Sequence, residues 1–304
     1  MSPFSSVHVP VLLDEILQLG DPHPGQLWID GTAGGGGHSR AIAARLEPGG
    51  KLLAIDRDPN AIARLASEPR PENILLQHAS YDEAPEWIAS LSWPAVDGIL
   101  LDLGLSSDQL SDPSRGFSFT HDGPLDMRFD TSGGAPVWQW LEYASEQEIA
   151  DTIYRYGEER LSRRIARRIV EQRQRSPLQN AAELRELIHR CVPGARHARL
   201  DPATRTFQAL RILVNDELGI LERALQRLPD LLAPGGKLLI ISFHSLEDRL
   251  VKYAFRDDPR LEVVTRKPVT ASDLEVERNP RSRSAKLRVA SRKTIDNVAA
   301  ASLK

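Results

Sequence analysis

The sequence predicts a doubly wound α/β sheet interrupted by a helical insertion, and three observations carry that prediction. Short aliphatic runs alternate with helix-like stretches through the first hundred residues, as in a parallel sheet with crossover helices. The runs are apolar throughout and do not alternate with polar residues, as expected of strands covered on both faces. From about Asp108 to Phe207 no comparable run occurs, and afterwards the alternation resumes. The 304 residues suit roughly two domains of about 150 residues, ample for a core without disulfide or metal staples. The expected division is a sheet domain from residues 1–107 and 209–304, with a loop-plus-helices domain at 108–208 set inside it.

In chain order, Leu27-Trp28-Ile29-Asp30 reads as the first strand, followed by a glycine loop and a helix from about His38 to Leu46. Pro48-Gly49-Gly50 turns the chain into a second strand, Lys51 to Asp56. Asp58-Pro59 opens the next helix, with the acid as N-cap and proline at the first helical position. Asn73 to Gln77 reads as a third strand and Val96 to Leu103 as a fourth. The insertion starts as a loop, Asp108 to Ala135, punctuated by glycine and proline. A two-sided helix is expected from about Glu158 to Arg175. One face carries Leu161, Ile165, Ala166, Ile169 and Val170, the other Arg160, Arg163, Arg164, Arg167 and Arg168. It stops before Pro177, and another helix is expected from Ala181 to Cys191. A helix from about Thr204 to Leu228 then leads into Pro234-Gly235-Gly236-Lys237 and a strand, Leu238 to Phe243. That segment repeats the turn and strand start at Pro48 to Leu53. Short strands near Leu261–Thr265 and Ala285–Val289 finish the sheet.

Composition excludes several classes. A single cysteine, Cys191, rules out a disulfide framework or a four-thiolate zinc site and points to a reducing compartment. The opening MSPFSSVHVP lacks the basic and apolar regions of a secretory signal. No aliphatic stretch approaches the roughly 20 residues that span a bilayer. The expectation is a cytoplasmic protein. A formal net charge of −3 argues on its face against a nucleic-acid partner, but it hides the distribution. Tyr81 to Tyr154 holds fourteen Asp/Glu and two Arg, whereas Arg155 to Arg211 holds fourteen Arg, no Lys and six Asp/Glu. Arg278 to Lys293 adds seven Lys/Arg and no acid. Clustered arginine suits phosphates, although a solvated helix face reads the same way.

The sharpest motif is Asp30-Gly31-Thr32-Ala33-Gly34-Gly35-Gly36-Gly37-His38, between the first strand and a helix. Glycines there let a ligand approach the backbone at the switch point of a doubly wound sheet. A P-loop needs Gly-Lys-Ser/Thr, and His38-Ser39 stands instead. The dinucleotide pattern fails at its third glycine, where Ser39 or Arg40 stands depending on register. An S-adenosylmethionine (SAM) loop is the remaining reading, with Asp30 towards the amino acid end of the ligand. Asp56, ending the second strand, is placed for the ribose hydroxyls and disfavours a 2′-phosphate, although it also begins the Asp56–Pro59 turn. Asp102 and Gln109 follow the fourth strand, at the strand ends where such folds do chemistry, and Tyr81 stands either against an adenine or in the core.

Together these segments resemble the ribosomal RNA small subunit methyltransferase H (MraW) family. The matching stretches are HVPVLLDE (8–15), DGTAGGGGHS (30–39), LAIDRDP (53–59), DGILLDLGLSS (97–107) and RGFSFTHDGPLDMR (115–128). YGEER (156–160), PATRTFQALRILVN (202–215), SFHSLEDR (242–249) and NPRSR (279–283) continue them in the family's order. The resemblance implies a class I SAM-dependent methyltransferase fold with an inserted helical substrate domain. It implies N4-methylation of one cytidine, conventionally numbered 1402, in the decoding region of 16S ribosomal RNA, with the small ribosomal subunit as partner. A homodimer is compatible with it. The SAM contacts it carries over are Gly36, Gly37, His38, Asp56, Tyr81, Asp102 and Gln109. Tyr81 stands where family members often have phenylalanine, and Asp108 replaces the more usual proline or apolar residue before Gln109.

Methyl transfer to an exocyclic amine requires acceptors that hold N4–H and let its proton leave. No polar-Pro-Pro-aromatic motif is present, so the candidates are Asp102, Asn215, Ser242, His244 and the carbonyls near Leu103–Gly104. The His244-Ser245-Leu246-Glu247-Asp248 run matches no standard ligand spacing, and no metal is expected. Arg115, Arg128 and the 112–127 loop are expected to cover the cofactor or a cytidine turned out of the RNA. The arginine face and the 278–293 stretch are expected to meet phosphates. Two other readings share the residues: a methyltransferase of this fold with another substrate, and a ribosome-assembly factor that only grips RNA.

Overall fold

The computed structural model describes residues 10–119, 122–192 and 201–294. The opening nine residues, and with them His8 and Val9, lie outside the described residues, as do Thr120 and His121 of the cover loop. The chain divides into two compact units, Met1–Gly104 with Leu218–Lys304, and Leu105–Glu217. The second boundary falls nine residues later than expected, after Glu217 in place of residue 208. The physical reason is that Phe207 and Leu210 are buried in the core of the inserted unit and keep their whole helix there.

The sheet unit begins with α1 (Leu13–Gly20), β1 (Leu27–Asp30), α2 (Gly37–Leu46), β2 (Lys51–Asp56) and α3 (Pro59–Ser67). It continues with β3 (Ile74–His78), α4 (Ala84–Ser90) and β4 (Val96–Asp102). As expected, Asp58 caps α3 by accepting from Asn60 N, with Pro59 at the first helical position. The inserted unit contributes α5 (Ser107–Ser111), α6 (Val137–Tyr143), α7 (Glu146–Gly157), α8 (Ser162–Arg173), α9 (Ala181–Cys191) and α10 (Ala203–Asn215). The chain then runs through α11 (Glu217–Arg227), β5 (Leu232–Ser242), α12 (Ser245–Asp257), β6 (Leu261–Val263), α13 (Asp273–Arg278) and β7 (Lys286–Arg292).

The sheet order is β3-β2-β1-β4-β5-β7-β6. β1 to β5 pair in parallel, and β7 runs antiparallel to both β5 and β6. The order reverses between β1 and β4, which puts a switch point at their carboxyl ends. Ile29, Leu53, Ile55, Ile99, Leu101, Leu238 and Ile240 pack on one face with α4, α11 and α12 residues. Trp28, Leu52, Ala54, Leu100, Leu239 and Ile241 pack on the other with α1 and α2 residues. Successive strand residues thus enter opposite cores, which explains why the runs are apolar without a break.

Three expected elements differ. The helix expected from Glu158 starts four residues later, as α8 at Ser162, because Glu158 adopts φ 50° as the C-cap of α7. The helix expected over Thr204–Leu228 is broken at Asp216, with φ 47°. The second Pro-Gly-Gly does not precede a strand. Leu232 pairs with Val96 and Lys237 with Gly98, so β5 spends five steps against two and bulges at residues 233–236.

Candidate functional site

The glycine loop is stitched to both neighbouring strands. Gly31 N donates to Leu100 O at 2.9 Å and Ala33 N to Ile55 O at 2.9 Å. Asp102 N donates to Thr32 Oγ1 at 2.7 Å, and Gly34 N to Asp56 Oδ2 at 2.7 Å. Arg64 and Arg40 hold the loop carbonyls of Gly34 and Gly35 at 2.9 and 3.0 Å. Gly36 is the N-cap of α2 at φ 77°, a conformation that favours glycine. At Gly31 a Cβ would press on Leu101 Cδ2 and lie 2.8 Å from Tyr81 Cβ, so the loop floor has no room for a side chain.

Three carboxylates ring this loop at the ends of β1, β2 and β4. Asp30 is 1% exposed, and its oxygens are spent inside the loop. Oδ2 accepts from Ser39 Oγ at 2.6 Å and Oδ1 from Thr32 N at 3.1 Å. Asp30 therefore shapes the loop from within, using both oxygens. Burial raises its carboxyl above the usual range, partly offset by Ser39 and His38. Asp56 accepts from Gly34 N and, through Oδ1, from Asp58 N at 2.8 Å. Burial pushes it up to about 6 against those two amide bonds. Asp102 is also pushed up to about 6 by burial, against the opposing pull of His38. Its Oδ1 is buried and has no hydrogen-bond partner among the described residues.

His38 is 5% exposed, in the first turn of α2. Its Nε2 lies 2.9 Å from Val11 O, a carbonyl that can only accept, so Nε2 carries the proton. Nδ1 then faces Asp102 Oδ2 at 3.6 Å. At that separation the two groups feel each other's charge without a hydrogen bond between them. Tyr81 opens the 3-10 turn after β3 and is buried in the core that holds Ile29 and Leu101, immediately beside Gly31. Gly37 begins α2 against Pro10.

At the end of β5, Ser242 is 1% exposed and donates to Lys286 O at 3.4 Å, a weak bond. His244 is the N-cap of α12, its Nδ1 accepting from Glu247 N at 3.4 Å while Nε2 stands 3.1 Å from Glu247 Oε1. Glu247, 3% exposed, also accepts from Phe243 N at 2.9 Å. Sequence reasoning missed Glu247 as an anchor of this turn. Its place three residues after the N-cap was the available signal.

Other expected site residues belong to the inserted unit. Gln109 forms a capping box with Ser106 on α5, accepting at Oε1 from Ser106 N at 3.0 Å. Asn215, 2% exposed, accepts from Phe129 N at 2.7 Å and donates to Met127 O at 2.7 Å and Arg211 O at 2.9 Å. Arg115 is buried, and its Nη2 donates to Arg128 O and Phe129 O at 2.9 Å each. Arg128 pairs with Asp126 at 2.7 Å. These groups organise the 115–129 loop from within.

The family model for the MraW methylase family matches residues 5–293. The chain belongs to the MraW methylase family. The ribosomal RNA small subunit methyltransferase H of Rhodopirellula baltica is 52% identical over 300 residues, 94% of this chain and 91% of that relative. The protein of the same name from Thermomicrobium roseum is 47% identical over 95% of both chains. A solved rRNA methylase from Streptococcus thermophilus superposes with a TM-score of 0.40 at 11% identity, covering 93% of each chain. As a MraW methylase the chain has the class I SAM-dependent methyltransferase fold and uses SAM. The residues present fit that cofactor. Among the described residues a buried carboxylate oxygen of Asp102 is without a hydrogen-bond partner, as a group awaiting a cationic ligand would be. Among the described residues no helix is long and apolar enough to cross a membrane.

Proposed function

We propose that this chain transfers a methyl group from SAM to N4 of one cytidine, position 1402, in the decoding region of 16S ribosomal RNA. The observation that carries the reading is whole-length membership of the MraW methylase family, insertion included, alongside relatives named for small subunit rRNA methylation. Bound SAM supplies an electrophilic methyl group. The chain's own residues bind, orient and accept a proton. Gly36, Gly37 and His38 offer a side-chain-free approach at the start of α2, Asp56 the ribose contact, and Tyr81 a ring beside Gly31 for the adenine. Gln109 is the remaining cofactor contact in this reading.

Of the candidate acceptors for N4–H, two are committed elsewhere, Asn215 to the loop backbone and Ser242 to Lys286 O. His244 accepts the α12 cap at Nδ1 and keeps a buried Nε2 with no hydrogen-bond partner among the described residues, the nitrogen that carries the proton when Nδ1 accepts. Asp102 keeps an unpartnered oxygen and is the acceptor we assign, assisted by carbonyls near Leu103–Gly104. No strong base is needed, because the amine becomes acidic as it is methylated. The test is mass mapping of 16S RNA from a strain lacking this chain, with and without an Asp102→Ala copy. Loss of the decoding-region N4-methyl mark, restored by the wild-type chain and not by Asp102→Ala, is expected. Persistence of the mark in the deletion strain would overturn the substrate, and full rescue by Asp102→Ala would overturn the site. A cytoplasmic location and a homodimer belong to the same reading, the latter checked by mass in solution.

A further inference from the structure

We propose that α8 and the adjoining end of α9 form a docking face for the phosphodiester backbone of RNA. It rests on the reading of the chain as an rRNA methylase and adds where the substrate's backbone is gripped. α8 is anchored by Ile165, Ala166 and Ile169, each fully buried, so the helix cannot roll. Arg163, Arg164, Arg167 and Arg168 are thereby exposed together. With Glu171 they line a cleft of about 480 Å³. A second cleft of about 390 Å³ shares Arg168 and Glu171 with the first and adds Arg175 and, from α9, Arg190. The two clefts adjoin at Arg168 and Glu171 and are treated together as one trough.

Charge in the trough is left unbalanced. Glu171 pairs with Arg168 at 2.7 Å, and Glu146 approaches Arg167 at 3.6 Å. Among the described residues no carboxylate lies within ion-pair distance of Arg163, Arg164, Arg175 or Arg190. Like charges one turn apart repel, and the two carboxylates offset only Arg168 and Arg167. A face that served only solvation would accept lysine as readily. The segment from Arg155 to Arg211 has fourteen arginines and no lysine, the choice that suits forked, two-point contact with phosphate oxygens. The twelve residues of α8 extend about 18 Å, room for several successive phosphates and far more than one free anion fills. The occupant is a polyanionic strand.

The test uses the full chain, a fluorescent RNA carrying the 16S decoding region, and two variants. One replaces Arg163, Arg164, Arg167 and Arg168 with glutamine, the other with lysine. Near 0.15 M salt the glutamine variant should bind roughly tenfold or more weakly, with the slope of log K against log salt flatter by about three. Its SAM affinity and melting midpoint should match wild type, which separates lost contacts from lost folding. The lysine variant should recover the slope and only part of the affinity. Wild-type affinity and slope in the glutamine variant would overturn the docking face. Methyl transfer to the same RNA by the wild type is scored separately. Binding with the expected slope but without transfer would sink the substrate reading and leave the face standing.

Discussion

Asn215 illustrates how a buried polar residue can belong to the architecture of a functional loop. Its amide oxygen and nitrogen are spent on Phe129 N, Met127 O and Arg211 O, three groups that have little access to water. Arg115 acts in the same way, donating to Arg128 O and Phe129 O beside the Phe117 ring, which itself stacks on Phe129. Removing the amide strands buried donors and acceptors, each worth about 1–3 kcal/mol when left unmade. Asn215→Ala should therefore lower stability by about 3 kcal/mol, read as a fall in the urea midpoint at unchanged slope. An unchanged midpoint would mean that the loop holds without it. The sequence placed Asn215 at the end of a family motif and offered it as an acceptor for the reaction. It could not show that the partners lie 86 and 88 positions away in the chain.

At the scale of elements, the glycine loop is fixed by its neighbours more than by itself. Leu65 of α3 stands 2.5 Å from where a Cβ on Gly36 would be, and φ there is 77°. Gly36→Ala combines a left-handed conformation, costing about 1–2 kcal/mol, with that overlap. It should weaken SAM binding at least tenfold by calorimetry and lower the melting midpoint. SAM affinity equal to wild type would show that the loop tolerates displacement. The strands were legible because their aliphatic runs feed two cores, and α3 because Asp58-Pro59 is a local start signal. The late helix start after Glu158 and the break at Asp216 were not. Glu158 and Asp216 are non-glycine residues at positive φ inside helical patterns, and no local chemistry announces them. The bulge at residues 233–236 imitated the turn at Pro48 because Pro-Gly-Gly suits either, and only pairing with β4 decides. The inward turn of Asp30 was equally hidden, since Ser39 and Thr32 compete with a ligand for it.

For the whole molecule, binding and stability pull in opposite directions at Asp102. Its folded carboxyl sits at about 6 against an ordinary value of 3.8, so the folded state favours the protonated form. That contribution is fully present below the unfolded value near 4 and is lost as pH rises through 6. Without ligand, ionised Asp102 is therefore a liability of about 1–3 kcal/mol near pH 8. Asp102→Asn removes it and can donate to His38 Nδ1, whose Nε2–H stays on Val11 O. The variant should be more stable than wild type at pH 8, with the gap in melting midpoint closing by about pH 4. SAM reverses the sign, because a cationic ligand binds the ionised carboxylate. Wild-type affinity should fall as pH drops through 6, whereas Asp102→Asn should bind weakly and lose the part of that dependence Asp102 supplies, leaving Asp56's own. A variant less stable than wild type at pH 8, or one with the full pH dependence of SAM binding, would show that Asp102 is not the group tuned for the ligand. The same residue would then be a structural partner of His38, and the acceptor of the N4 proton would have to be sought among the backbone carbonyls that follow β4.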